Sequence, residues 1–149
     1  GRKYTFEIRA EAKWDDGIDV TASDVVFTLK AFLYPNICHP GLRSFLSFIS
    51  DLEIDPKNKK RFSIITNVSF NLAEAVIGTM AIYPKHLYDP SGKFDNIDLQ
   101  ALNESLSPEL NQDSSLVKFV NDFKNAGRLS SKNKIYGCGP YTGRYSSII

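Results

Sequence analysis

The run YTFEIRAEAKWDDGIDVTASDVVFTLKAF, residues 4–32, leaves the chain few ways to fold. Tyr4, Phe6 and Ile8 alternate with Thr5, Glu7 and Arg9, the period of a strand with one buried and one wet face. Asp15-Asp16-Gly17 is turn chemistry, because Asp side chains bond the local backbone and Gly accepts positive φ. Thr21 and Asp24 then have the spacing of a capping box, in which each side chain can accept from the other's orphan backbone N–H. Val25, Val26, Leu29, Phe32 and Leu33 follow at helical spacing until Pro35-Asn36 ends the segment. The apolar stripe of that helix must bury against a sheet.

Leu42, Phe45, Leu46 and Ile49 suit a short helix from Pro40. DLEIDPKNKKRFSIITN reads as a hairpin turning through Asp55-Pro56-Lys57-Asn58, with Leu52 and Ile54 on one arm and Phe62, Ile64 and Ile65 on the other. Lys57, Lys59, Lys60 and Arg61 at its tip are expected to be a solvated, inert turn that discourages edge pairing. A helix is expected from about Leu72 to Thr79, then a turn at Pro84. Residues 89–115 are polar and rich in Ser, Asn and Pro, and read as a long surface excursion with at most one helix near 99–105. SLVKFVNDFKNA restores helical spacing through Leu116, Phe119, Val120 and Phe123, closed by Gly127. The last residues, NKIYGCGPYTGRYSSII, return to strand chemistry.

Of the 149 residues 42% are hydrophobic and 23% charged, with a formal net charge of +1, so the default is one domain over 1–149 with no electrostatic bias toward nucleic acid or an anionic membrane. Because a strand pattern already begins at Tyr4, the chain is expected to be a mature or excised piece. Cys38 and Cys138 show no zinc-ligand spacing, and a disulfide or two buried thiols remain open alternatives. No cofactor or metal is expected.

Catalytic candidates are few. Asp15 and Asp16 are adjacent on a turn and diverge, which favours structure over acid–base work. Cys38-His39 could pair a nucleophile with its base, but adjacent residues rarely reach hydrogen-bond geometry. His86 in YPKHLY suits a helix start or turn. GCGPYTG lacks the following helix that a phosphate loop needs.

Three stretches in order carry a resemblance. YTFEIRAEAKWDDGIDVTASDVVFTL, AIYPKHLY and GCGPYTGRY together resemble the family 5 extracellular solute-binding proteins, the receptors of peptide and nickel ABC importers. Glu11 and Ile18-Asp19 depart from the pattern. The resemblance implies a non-enzymatic part of a substrate-binding protein that captures oligopeptides or similar small solutes for an ABC-type importer. It implies a periplasmic or extracellular place, with ABC permease subunits as partners and any membrane attachment through a lipid anchor outside this chain. About 4–134 would form the peripheral α+β subdomain of lobe one of a two-lobed periplasmic binding protein, a small mixed or antiparallel sheet with packed helices, and 135–149 the start of the strand returning to the main lobe. Trp14, Asp16, Gly17, Thr21, Asp24, Pro84, Gly139 and Tyr141 are then a structural signature, with Trp14 expected against the Val25/Leu29 stripe. Ligand contact is assigned to the loop 34–45, with Tyr34, Asn36, Leu42 and Phe45 as candidates. The competing readings are a stand-alone interaction domain with this fold and a small cysteine hydrolase.

Overall fold

Helix α1 (Ala22–Leu33) is buried on nearly every side, and the other elements are arranged around it. The computed structural model describes residues 1–34, 37, 40–69, 72–103, 113–126, 134–135, 138 and 143–144. Strand β1 (Lys3–Glu7) precedes α1; α2 (Pro40–Leu46), β2 (Ile49–Ile54) and β3 (Arg61–Thr66) follow it. Then come α3 (Ala73–Gly78), α4 (Lys85–Tyr88), α5 (Leu99–Asn103), α6 (Ser114–Ala126), β4 (Lys134–Ile135) and β5 (Gly143–Arg144).

The three longer strands form one antiparallel sheet in the order β1-β3-β2. Its register sets Tyr4 opposite Ile64 and Phe6 opposite Phe62, with Leu52 and Ile54 across the other side of β3. Alternation sends these residues to the helical side, where Phe6 stacks on Phe62 at 5.5 Å. The opposite face is polar: the Thr5 and Ser63 hydroxyls are 3.0 Å apart, and Lys3 pairs with Glu53. β4 and β5 pair with each other in a separate two-stranded ribbon.

Residues 89–103 are not the surface excursion that their polarity suggests. Phe94, Ile97, Leu99 and Leu102 are all buried in the core. Spaced apolar side chains anchor this stretch, and Asp89 fixes its entry, accepting from the Lys93 N–H at 2.8 Å and the Phe94 N–H at 3.0 Å. Phe94 thereby meets Phe27 edge-on at 5.8 Å and Phe119 of α6 at 4.9 Å. Arg43 ties α2 to two helix ends, donating to the Leu33 carbonyl at 2.9 Å and the Leu102 carbonyl at 2.7 Å.

The hairpin tip also departs from expectation. Lys57 is exposed, but Lys60 is 9% exposed and its ammonium donates to the carbonyls of Arg9, Ala10 and Ala12 at 3.2, 2.7 and 3.1 Å. All three ammonium protons are thus used, and the chain leaving β1 is curled around a cation from the hairpin tip. Lys59 adds an ion pair to Asp19 at 3.0 Å, and its carbonyl accepts the Ala22 N–H at 2.8 Å. A run of four basic residues looks solvated locally; what turns Lys60 inward is a set of carbonyls some fifty residues earlier.

Replacing Lys60 by Met keeps the stem's volume but strands those carbonyls. Lys60→Met is expected to lower unfolding free energy by about 2–3 kcal/mol in urea melts, while Lys57→Met stays within about 0.5 kcal/mol.

Candidate functional site

The best-defined constellation joins the Asp-Asp-Gly turn, the start of α1 and the Tyr-Pro-Lys-His segment. The turn is closed by two bonds, Gly17 N–H to the Trp14 carbonyl at 2.9 Å and Trp14 N–H to the Ile18 carbonyl at 2.8 Å. Gly17 has φ of +87°, and a Cβ there would meet nothing within 4 Å, so the need for Gly is one of backbone conformation rather than space. Asp16 fixes the turn's far side, accepting from the Ile18 N–H at 3.1 Å.

At the helix start the carboxylate of the Thr21/Asp24 capping box is shared between two segments. Asp24 Oδ2 accepts from the Thr21 backbone N–H at 2.8 Å and from the Thr21 hydroxyl at 3.2 Å. Asp24 Oδ1 accepts the Lys85 N–H at 2.8 Å, at the first residue of α4 after its N-cap Pro84. One turn along α1, the buried Thr28 hydroxyl donates to the Asp24 carbonyl at 2.7 Å and accepts the Tyr83 N–H at 2.8 Å. His86 completes the seam, its Nε2 lying 2.7 Å from Asp16 Oδ2.

Burial alone would raise the Asp16 carboxyl; the bonds from His86 and the Ile18 N–H, with the His86 charge, outweigh it and hold the carboxyl below its ordinary range. Asp19 is lowered too, by the hydrogen bonds from Lys59 and Lys13 and by their charges. The pairing of Asp16 with His86 is the one arrangement here that resembles catalytic machinery. Among the described residues no hydroxyl or thiol is hydrogen-bonded to His86, whose ring is engaged by Asp16. It positions two segments.

Trp14 is 3% exposed, buried as its role as an apolar anchor requires. Its turn docks on the hairpin tip through Lys59 and on α4 through His86. The indole N–H is buried without an acceptor among the described residues. Tyr34 is placed otherwise than an exposed ligand loop requires: it is 3% exposed and packs edge-on against Phe94 at 5.8 Å. Leu42 and Phe45 lie in α2, with side chains outside the described residues. Asn36, Cys38, His39, Gly127, Gly139 and Tyr141 lie outside the described residues, while Cys138 is an exposed free thiol.

The polar groups of this seam thus join the chain's own segments. The chain is a member of the bacterial extracellular solute-binding proteins, family 5, whose Middle model matches residues 1–143. It is 30% identical over 90 residues to the probable peptide-binding protein YejA of Agrobacterium fabrum, covering 60% of this chain and 14% of that protein. Its fold matches the oligopeptide binding protein from Thermus thermophilus, solved with a pentapeptide, with a TM-score of 0.57 over 97% of this chain and 23% of that one, at 18% identity. The periplasmic EDTA-binding protein EppA matches with a TM-score of 0.50 at 24% identity, over 70% of this chain and 18% of that one. The chain therefore spans less than a quarter of the length of each of these proteins.

Two outcomes test the seam. Asp24→Ala is expected to destabilise by about 3 kcal/mol, because it strands a backbone N–H at two helix starts, against about 1 kcal/mol for Thr21→Ala in the same chemical melts. A carboxyl held below its unfolded value, 3.8 for Asp16, contributes stability that is complete above that range and is lost as pH falls through the lower folded value. Asp16→Asn should therefore make the fall in melting temperature from about pH 5 to about pH 3 shallower, with Asp19 supplying the slope that remains.

Proposed function

We propose that this chain is part of a periplasmic or cell-surface receptor that captures oligopeptides or similar small solutes and presents them to an ABC-type importer. The family match over residues 1–143 carries the reading. The peptide class is supported by a relative named as a probable peptide-binding protein and by a structural neighbour that holds a pentapeptide. Lipid attachment of the parent protein and docking on permease subunits belong to the same proposal.

Within such a receptor, residues of about 4–134 act as a peripheral subdomain of the first lobe, and 135–149 begin the return to its main body. The separation of the β4–β5 ribbon from the three-stranded sheet supports a boundary near Lys134. The hydrogen-bonded seam around Asp24 then holds one ligand-facing wall in shape, and contacts from the segment after α1 and from the opposite lobe supply affinity.

Thermal unfolding of the full-length parent with and without di- to pentapeptides tests this. A peptide present at 100 times its dissociation constant should add about 2.7 kcal/mol of stability. A full-length protein that is stabilised by other solutes but by no peptide would overturn the ligand class, and one stabilised by no solute at all would overturn the receptor reading.

A further inference from the structure

Clefts open at several places between the elements, and their charged groups differ in how far they are already used. On the polar sheet face Lys3 is paired with Glu53. Beside β2 the Lys30 ammonium donates to the Phe94 and Asp95 carbonyls at 3.0 and 3.1 Å. Around the Asp-Asp-Gly turn His86 is bound to Asp16, Lys85 to Asp95, and Asp19 to Lys13 and Lys59.

The cleft between α4 and α6 is different. It has a volume of about 410 Å³, within the range of small-molecule sites, which begins at about 300 Å³. Leu87, Tyr88, Phe119 and Phe123 supply its apolar wall, and Leu87 is 42% exposed. Tyr88 and Phe123 hold each other in place with ring centroids 5.2 Å apart. Lys93 and Lys118 stand beside this wall, and Lys118 is exposed and forms no ion pair among the described residues. The acidic residue lining the cleft, Asp89, is 2% exposed and gives its two oxygens to the Lys93 and Phe94 N–H groups. Lys118 therefore presents a cation next to aromatic surface.

We propose that this cleft binds an organic acid with an apolar body, a carboxylate carried on an aromatic or branched aliphatic group. The apolar body displaces water from Leu87, Tyr88 and Phe123, over a floor made by the buried Phe119, and the carboxylate lies toward Lys118. The lining residues named belong to this chain, and the proposal does not rest on the receptor reading.

The test follows backbone amides of the isotopically labelled chain by NMR during titration with N-acetyl-phenylalanine and, separately, N-acetyl-phenylalaninamide. Saturable shifts confined to residues 87–93 and 118–123 are expected, with the acid bound about fivefold more tightly than the amide at low salt. Lys118→Glu, a change on an exposed helix face, should abolish the preference for the acid, and Lys57→Glu at the hairpin tip should leave it unchanged. Equal affinities for acid and amide, shifts that map elsewhere, an unchanged preference in Lys118→Glu, or no saturation would each overturn the proposal.

Discussion

Oδ2 of Asp24 receives the Thr21 N–H that opens α1, and Oδ1 receives the Lys85 N–H that opens α4, so the position of one helix start fixes that of the other. Asp24 is 4% exposed and pairs with no cation among the described residues; its oxygens accept backbone N–H groups at two helix starts instead. Buried polar groups are tolerated when they are hydrogen-bonded, and here both oxygens are satisfied by backbone that would otherwise be orphaned. Around this point the remaining contacts are arranged in order along α1: Asp16 with His86 before it, and Thr28 with Tyr83 after it. The seam is polar, directional and short, and it sets the angle at which the apolar faces of α1 and the 83–103 stretch meet.

That arrangement explains why two separate motifs occur in one chain. Thr-Ala-Ser-Asp and Tyr-Pro-Lys-His are the two sides of one hydrogen-bonded joint, separated by 61 residues at the Asp24–Lys85 bond. Pro84 has no N–H of its own to satisfy, which lets the Lys85 N–H be the first donor the joint must accommodate. Asp16 and His86, two of the polar residues that invite a catalytic reading, are thus used in assembly. This accords with membership in a family of solute-binding proteins rather than enzymes.

Strand β1, the turn at Gly17, helix α1 and the β2–β3 hairpin could be read from the sequence because each depends on neighbours within one or two turns of chain. The joint could not, since nothing near His86 signals Asp16, and nothing near Tyr83 signals the Thr28 hydroxyl. Residues 89–103 misled for a related reason: Ser, Asn and Asp outnumber the anchors there, and only the packing of Phe94 and Leu102 in the core shows which residues decide. Lys60 misled in the opposite sense, as a charge in a basic run that is nonetheless enclosed. Among the candidate ligand residues, Tyr34 lay next to the helix-ending Pro35 and so looked exposed, but its ring turns inward to the aromatic cluster.

The enclosed Lys60 also determines where this domain can be cut, tagged or lengthened. Hairpin tips are ordinarily permissive places for insertion, because their backbone is solvated and short of long-range bonds. Here the tip is registered against the start of the chain: extra residues between Asn58 and Lys60 would pull the ammonium out of its ring of carbonyls and free the segment that leads into the Trp14 turn. Just past β3, Asn67, Val68 and Ser69 are exposed, and the backbone is held through the Asn67 N–H on the Phe48 carbonyl and the Val68 carbonyl on the Thr66 hydroxyl, both at 2.9 Å, which makes Ser69 the point for an addition. A fluorophore or epitope belongs there, and the evolutionary freedom of the domain to grow loops should be sought on that side.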